Sequence, residues 1–423
     1  MKIKSFVTSL IAGASLFTMV GTASAACTYR VTGDLNVYGA SAQFAFFAHE
    51  FTNYLDKAGC TPKFGTWAAS TVQDAATNPS HYAVQADCSA VGGPATVNFR
   101  VSSKASYDGP LAVDNQIVPG ITTNNCPAGN QRELLHGGIA GCAWGNLNCG
   151  APTAARGDCE VVNWGASDVN VTDFQQQLLG GRNFKTSPVV MLNGTSDFCN
   201  PAAIPFAFFV NNSVVKSDGV TILDNISDLE AKMIFAGNLT NWNQLNSSAM
   251  TAQPVVACYR NPGSGTHATL DFMVVRPDTM VKAANATHIF GESTGNEMSC
   301  ISTNLGAIGY ADADRLTAFP IANVSGPLKY NGVLPSSATM INGTYPYTDG
   351  AQHAYVTPAS ALDGMFQDIC WYAGRPDKLA LVNPLYAATC QMNALPKNFG
   401  TLGTWAPTPA SVKGQLGCTC VGL

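Results

Sequence analysis

The chain has 423 residues and a mass of 44.2 kDa, enough at roughly 100–200 residues per domain for two or three globular units with sizeable cores. Charged residues make up 12% and hydrophobic residues 46%, which excludes disorder driven by charge excess. A net charge of −5 with no Lys/Arg cluster excludes a nucleic-acid binder that works by neutralising phosphates.

Residues 1–25 read as a secretory signal: Lys2 and Lys4, an apolar stretch from Phe6 to Val20, then Ala23-Ser24-Ala25 as the cleavage site. A mature chain starting near Ala26 keeps 20 basic against 27 acidic residues, since two lysines leave with the signal. Cys27 follows closely, but Ser24-Ala25-Ala26 lacks the leucine that a lipid-anchor signal places three residues before its cysteine. No later run of about 18 apolar residues occurs, so the mature chain is expected not to span a membrane. All 14 cysteines follow the cleavage site. An even number in an exported chain points to disulfides rather than thiols or metal. The tightest pair, Cys418-Thr419-Cys420, has no histidine nearby, and no haem attachment motif is present. The spacing leaves the connectivity open.

In chain order, Leu35-Asn36-Val37-Tyr38 reads as a strand, Gly39 to Gln43 as a small-residue turn, and Phe44, Phe47, Phe51, Tyr54 and Leu55 as one face of a helix. Such a turn aims backbone N–H groups and a helix N-terminus at one point, which suits an anion, though most turns of this kind bind nothing. Residues 60–159 are rich in Gly, Asn and Pro, carry six cysteines, and read mostly as disulfide-stapled surface elaboration. Within them residues 95–101 alternate like a strand and run into Ser102-Ser103-Lys104-Ala105-Ser106, serines that either cap a helix or serve a ligand. Val161 to Trp164 predicts another strand, ending in Gly165-Ala166-Ser167-Asp168. Pro205 to Val210 and Pro254 to Tyr259 read as buried strands, Ser227 to Ala236 and His267 to Val274 as helices, and Thr240 to Asn243 as a turn. This alternation indicates an α/β architecture, with ligands beyond the carboxyl ends of strands.

The loop from Arg260 to Thr266 is the most informative. A helix opening with Gly-Ser-Gly-Thr offers free N–H groups, two hydroxyls and close backbone approach, and Arg260 adds a planar donor fork suited to a tetrahedral oxyanion. It is neither a Walker loop nor a nucleophile elbow, because Pro262 stands where the elbow needs glycine. An anion cradle and an ordinary N-cap remain open for it. Asp168 has two readings as well: a cap for a helix near Val171, or a carboxylate that accepts the proton of a protonated phosphate and so rejects sulfate.

Five segments resemble, in order, the motifs of the periplasmic phosphate-binding proteins of ABC phosphate importers, including DING-type relatives. They are NVYGASAQF from Asn36, NWGASD from Asn163, IFAGNLTNWNQL from Ile234, YRNPGSGTHATLDFM from Tyr259 and GNEMSCISTNLGAIGYADAD from Gly295. The resemblance implies a two-lobe, type II clamshell that binds inorganic phosphate in its cleft. Lobe 1 would comprise residues 26–205 and 346–423 with a Cys-rich insertion at about 60–159, and lobe 2 residues 206–345. It further implies that Arg260, Ser264, Gly265 and Thr266 donate to phosphate, that Asp168 accepts its proton, and that Gln43 and Phe44 offer backbone N–H groups. For the family's remaining serine the candidates are Ser103 and Ser106, with Ser70 behind them. The sequence departs from the pattern at Gln43, where the family has threonine, at Pro262, where it has an aspartate that orients the arginine, and in the long cysteine-rich stretch.

The expectation is an exported monomer, periplasmic or secreted, that hands phosphate to an ABC permease in the inner membrane without cofactor, metal or chemical step. Two other classes compete. A phosphatase would need a metal constellation or a placed nucleophile, and of the six histidines only His267 lies beside the anion loop. An extracellular interaction protein would keep the clamshell but bind another oxyanion or use its stapled insertion.

Overall fold

The computed structural model describes residues 29–75, 79–117, 125–138, 141–150, 157–174, 191–245, 248–276, 278, 286–291, 293–348, 352–357, 363–396 and 405–407. The expected signal segment, Cys27 and the Cys418/Cys420 pair lie outside them. Strand β1 (Leu35–Gly39) leads into helix α1 (Ser41–Lys57), whose Phe44, Phe47, Phe51, Tyr54 and Leu55 are all buried, as their helical spacing predicts. Strands β2 (Thr61–Pro62), β3 (Thr71–Gln73), β4 (His81–Asp87) and β5 (Val97–Ser103) follow, then helix α2 (Asp108–Val113). Next come the hairpin strands β6 (Gln131–Leu135) and β7 (Gly157–Val161), then β8 (Trp164–Ser167), β9 (Ser196–Cys199) and β10 (Ala202–Ala203).

The second half opens with β11 (Phe206–Asn211), an apolar strand whose every residue is buried. After β12 (Asn225–Ile226), helix α3 (Asp228–Phe235) starts at a capping box in which Ser227 and Glu230 each bond the other's backbone N–H. Then come β13 (Val256–Arg260), α4 (Gly265–Leu270) with a π-helical turn over Asp271–Val275, β14 (His288–Gly291) and α5 (Thr294–Thr303). The chain continues through β15 (Ala307–Asp312), α6 (Arg315–Ala318), β16 (Val324–Ser325), β17 (Lys329–Tyr330), α7 (Ser337–Ile341) and β18 (His353–Val356). Helices α8 (Asp363–Ala373) and α9 (Pro376–Val382) and strand β19 (Ala387–Ala388) complete the part that shapes the site.

These elements form two α/β lobes. The first lobe's sheet runs β2-β4-β5-β1-β8-β18-β9, with β3 on β4. β5, β1 and β8 are parallel, with Tyr38 level with Ser102 and Gly165, so the loops after these strands leave the same edge. The second lobe's sheet runs β14-β13-β15-β11-β16, in which β14, β13 and β15 are parallel and Arg260 is level with Gly291. The chain crosses between lobes near Pro205 and again near Thr348, where the two crossing segments pair as an isolated antiparallel bridge. Each lobe has its own core: Phe47, Phe51, Phe99, Trp164 and Phe366 pack in the first, and Phe208, Phe235, Trp242, Tyr259 and Tyr347 in the second. Among the described residues, no helix is long and apolar enough to cross a membrane.

The stretch from residue 60 is not all surface elaboration, because β4 and β5 lie inside the first sheet. Among the described residues, β6 and β7 form a separate two-stranded sheet beside it. Disulfides Cys126–Cys159 and Cys142–Cys149 staple this addition, while Cys60–Cys88, Cys199–Cys370 and Cys258–Cys300 tie elements within the lobes. Two buried arginines anchor the hairpin. Arg132 reaches from β6 to Asp108 of α2 at 2.7 Å and lies over the Tyr38 ring, and Arg100 of β5 meets Glu160 of β7 at 3.0 Å. Arg132→Ala would leave the buried Asp108 carboxylate without its cation, and is expected to lower the stability of the first lobe by about 3–5 kcal/mol, measured as a shift in its urea transition.

Candidate functional site

The turn after β1 is fixed by close packing. Gly39 has φ of 130°, and a Cβ there would lie 2.1 Å from the Ala166 carbonyl oxygen, so no other residue fits. The next residue, Ala40, donates its N–H to that same carbonyl at 3.0 Å, and no side chain caps α1. The first turn of α1 therefore presents Ser41 and Ala42 to a cavity of about 890 Å³ between the lobes. Ser103 and Lys104 after β5, Arg260 after β13, Thr294 at the start of α5, and Asp312 and Arg315 after β15 border the same space. All of these positions sit at carboxyl ends of strands or amino ends of helices, where open α/β sheets place ligands.

Arg260 is 8% exposed. Its Nη1 donates to Thr294 Oγ1, its backbone N–H donates to Tyr310 Oη at 2.9 Å, and its Nε makes no hydrogen bond. The Tyr310 hydroxyl also shares a hydrogen bond with His267 Nδ1, 2.7 Å away. His267 is kept neutral: burial, helped by the Arg260 charge, pushes its pKa down to about 3. A neutral, wholly buried imidazole hydrogen-bonded to a tyrosine fits a structural role.

Glu297 of α5 lies one turn beyond Thr294, and its Oε1 accepts the Tyr310 N–H at 2.9 Å while Oε2 makes no hydrogen bond. Burial raises its pKa to about 8, against the pull of Arg260. Asp312 is raised to about 7, first by burial and then by the neighbouring Asp314 and Asp168. The Asp312 carboxyl on the cavity wall and the Glu297 carboxyl buried behind it are thus both raised toward neutral pH beside Arg260. For Glu297 the folded pKa of about 8 exceeds the reference value of 4.5, so its contribution to stability is full below about 4.5 and is lost as pH rises to about 8. Glu297→Gln, which keeps the acceptor for the Tyr310 N–H, is expected to flatten that decline, read by chemical denaturation at pH 5 and pH 9.

On the inner side the lobes touch. Ser106 Oγ donates to Asp168 Oδ2 at 2.9 Å, and Tyr107 N–H donates to the Gly263 carbonyl at 3.1 Å across the lobes. A Cβ at Gly265 would lie 2.4 Å from Asp168 Cβ and 2.6 Å from Ser106 Oγ, so glycine alone permits this packing. Asp168 is 3% exposed, and its Oδ1 makes no hydrogen bond among the described residues. Burial raises its pKa, while the Ser106 hydroxyl, the Gln352 amide and the Arg260 charge pull it back. It does not cap the turn at Val171–Asp173; the Asn170 side chain does.

The predicted residues are therefore partly gathered. Arg260 and Ser103 line the cavity, and Ser106, Asp168 and Gly265 form its inner seam. Gln43 is turned to the scaffold: its amide bridges Trp164 Nε1 at 3.0 Å and the His353 carbonyl at 2.7 Å. The expectation that Phe44 offers an N–H is corrected, because that N–H already donates to Ala40 within the helix and Phe44 instead presents its side chain to the cavity. Ser264 Oγ caps α4 by accepting the His267 N–H at 3.4 Å, and Ser264 and Thr266 are 2% and 4% exposed and do not border the cavity. Ser70 Oγ accepts from the Phe64 N–H, away from the site. Sequence reasoning missed Lys104, Thr294, Glu297, Asp312 and Arg315. Three carboxylates, Glu297, Asp312 and Asp314, inside segment 295–314 were the available signal. Among the described residues no group of three or more His, Cys, Asp or Glu side chains is arranged to hold a metal ion.

Residues 202–368 match the family model described as a PBP superfamily domain. No curated protein sequence matches the chain. Among solved structures, the chain is similar to a putative phosphate ABC transporter substrate-binding protein with bound phosphate from Clostridium perfringens. That match has 13% identity, covers 84% of this chain and 99% of the other, and has a TM-score of 0.46. It is also similar to a possible phosphate-binding protein from Planctomyces limnophilus, at 12% identity over 92% and 97% of the two chains, TM-score 0.39. A third is an ABC-type phosphate transport receptor from Vibrio cholerae, at 15% identity over 54% and 80%, TM-score 0.37. The part of the chain that this family model matches spans the second lobe and its strand-end loops, together with β18 and the start of α8.

Proposed function

We propose that this chain is an exported solute-binding protein that captures inorganic phosphate between its lobes and delivers it to an ABC permease, with no chemical step of its own. The observation that carries the reading is Arg260: a buried guanidinium on the cavity wall with an unpartnered Nε, opposite the uncapped first turn of α1. A charge removed from water in this way is stabilised by a counter-ion, and a tetrahedral oxyanion supplies acceptors for the guanidinium fork, the helix N–H groups and the Ser103 hydroxyl together. Asp168, protonation-sensitive and buried, accepts the proton of hydrogen phosphate, which sulfate lacks at neutral pH. Ser264, Gly265 and Thr266 donate from the far lobe once the seam at Asp168 parts, and the hinge lies in the crossing segments near Pro205 and Tyr345. Residues 26–205 with 346–423 and residues 206–345 move as the two bodies, in a monomer that works in the periplasm.

The direct packing of Gly265 on Asp168 favours one second reading, a secreted clamshell whose cleft takes a different oxyanion or none. Calorimetric titration of the phosphate-stripped protein separates the two: micromolar or tighter phosphate binding with sulfate silent supports capture, and silence toward phosphate selects the alternative. Arg260→Ala is expected to weaken phosphate binding by about 2–5 kcal/mol, as for truncation of one partner of a buried charge pair. Asp168→Asn is expected to narrow the preference for phosphate over sulfate more than it weakens total anion binding. Equal loss for both anions would remove the assigned role of Asp168.

A further inference from the structure

A carboxylate does not hold the Arg260 guanidinium in place. Among the described residues its side chain forms no ion pair, Nε bonds nothing, and its hydrogen bond runs from Nη1 to Thr294 Oγ1. The loop that follows Arg260 supplies no second holder. Pro262 has no polar side chain, the Asn261 side chain accepts the Gly263 N–H at 3.0 Å, and Ser264 Oγ caps α4. Thr294 is brought to Arg260 by the neighbouring strand. β14 runs parallel to β13 with Gly291 level with Arg260, and the Asn261 N–H donates to the Gly291 carbonyl at 3.0 Å. A Cβ at Gly291 would lie 2.9 Å from the Glu297 nitrogen, so glycine lets the first turn of α5 fold back against that strand end. Ser293 caps the helix by accepting the Asn296 N–H at 3.1 Å, which makes Thr294 its first residue. The branched threonine side chain has few rotamers, so its hydroxyl is a stiff acceptor at the cavity's edge.

We propose that Thr294 is a positioning residue for anion capture, its hydroxyl fixing the Arg260 guanidinium before the anion arrives. This rests on the anion-binding reading above and adds a residue that the motifs did not mark. A long cationic side chain that is already held gives up less rotamer freedom on binding, so affinity is gained without a further contact to the anion.

The test uses the full chain, stripped of bound anion, beside Thr294→Val, which keeps the side chain's shape without the hydroxyl, and Thr294→Ser, which keeps the hydroxyl. In nitrogen NMR of the isotope-labelled chain the Arg260 guanidinium is assigned by the signals missing from Arg260→Ala. Separate Nη1 and Nη2 signals are expected, merging in Thr294→Val and returning in Thr294→Ser. By calorimetry at neutral pH, Thr294→Val is expected to bind inorganic phosphate about tenfold more weakly than the unaltered chain, and Thr294→Ser within twofold of it. If Thr294→Val does not fold, Thr294→Ala takes its place under the same criteria. Phosphate binding by Thr294→Val within twofold of the unaltered chain overturns the inference and leaves phosphate capture standing. Merged guanidinium signals in the unaltered chain, or Thr294→Ser as weak as Thr294→Val, do the same. Failure of the unaltered chain to bind phosphate overturns the inference and the anion-binding reading together.

Discussion

A guanidinium buried to 8% exposure is the constraint around which the site is arranged. Taking that charge out of water is costly, and the interior has to answer it with oriented oxygen atoms or with a counter-charge brought from outside. Thr294 Oγ1 provides part of the answer, and the Tyr310 oxygen fixes the Arg260 backbone beneath it. The carboxyl groups close by do not provide the rest. Glu297 and Asp312 are pushed up to about 8 and about 7, so near neutral pH they are largely or half protonated. In that form they do not compensate the Arg260 charge, which ionised neighbours would cancel.

The opposite wall depends on different physics. β1, β5 and β8 are parallel and in register, so the turns that follow them meet at one edge. Gly39 lets the first turn press against Ala166, and the amide of Gln43 ties α1 to Trp164 and to β18. The cysteine-rich hairpin contributes from the rim: Arg132 clamps Asp108 at the start of α2, the segment that directly follows the Ser103 to Ser106 loop. An addition that looked peripheral thus bears on the position of the Ser103 to Ser106 loop through one buried ion pair. In a chain with so few charged residues, such pairs do much of the specific positioning that packing alone leaves loose.

The seam at Asp168 sets how the lobes meet. Glycine at 265 allows backbone to approach carboxylate without a side chain between them, and Ser106 holds the carboxylate toward that contact. Two crossing segments meet near this seam in a bridge between Pro205 and Thr348, and Ala387 and Met392 after α9 also reach the second lobe's core.

Periodicity, cysteine parity and the order of short motifs were enough to establish an α/β chain with disulfides, to place α1 and β11, and to single out Arg260 and Asp168. These features are local: the burial of Phe47 and Phe51 follows from helical spacing, and the small-residue turns follow from steric need. Whether Asp168 caps the following turn was undecided locally, and the packed chain gives that cap to Asn170. Phe44 was misassigned because a helix's fourth N–H is internally bonded whatever the motif suggests. Lys104, Thr294, Asp312 and Arg315 reach the cavity from strand ends and helix starts up to about two hundred residues apart, with Glu297 buried behind them, and their chemistry there comes from burial and mutual fields. The sequence by itself determined the elements and the charge that must be answered; only the tertiary structure decided which groups answer it, because desolvation and proximity belong to the packed chain and not to any segment of it.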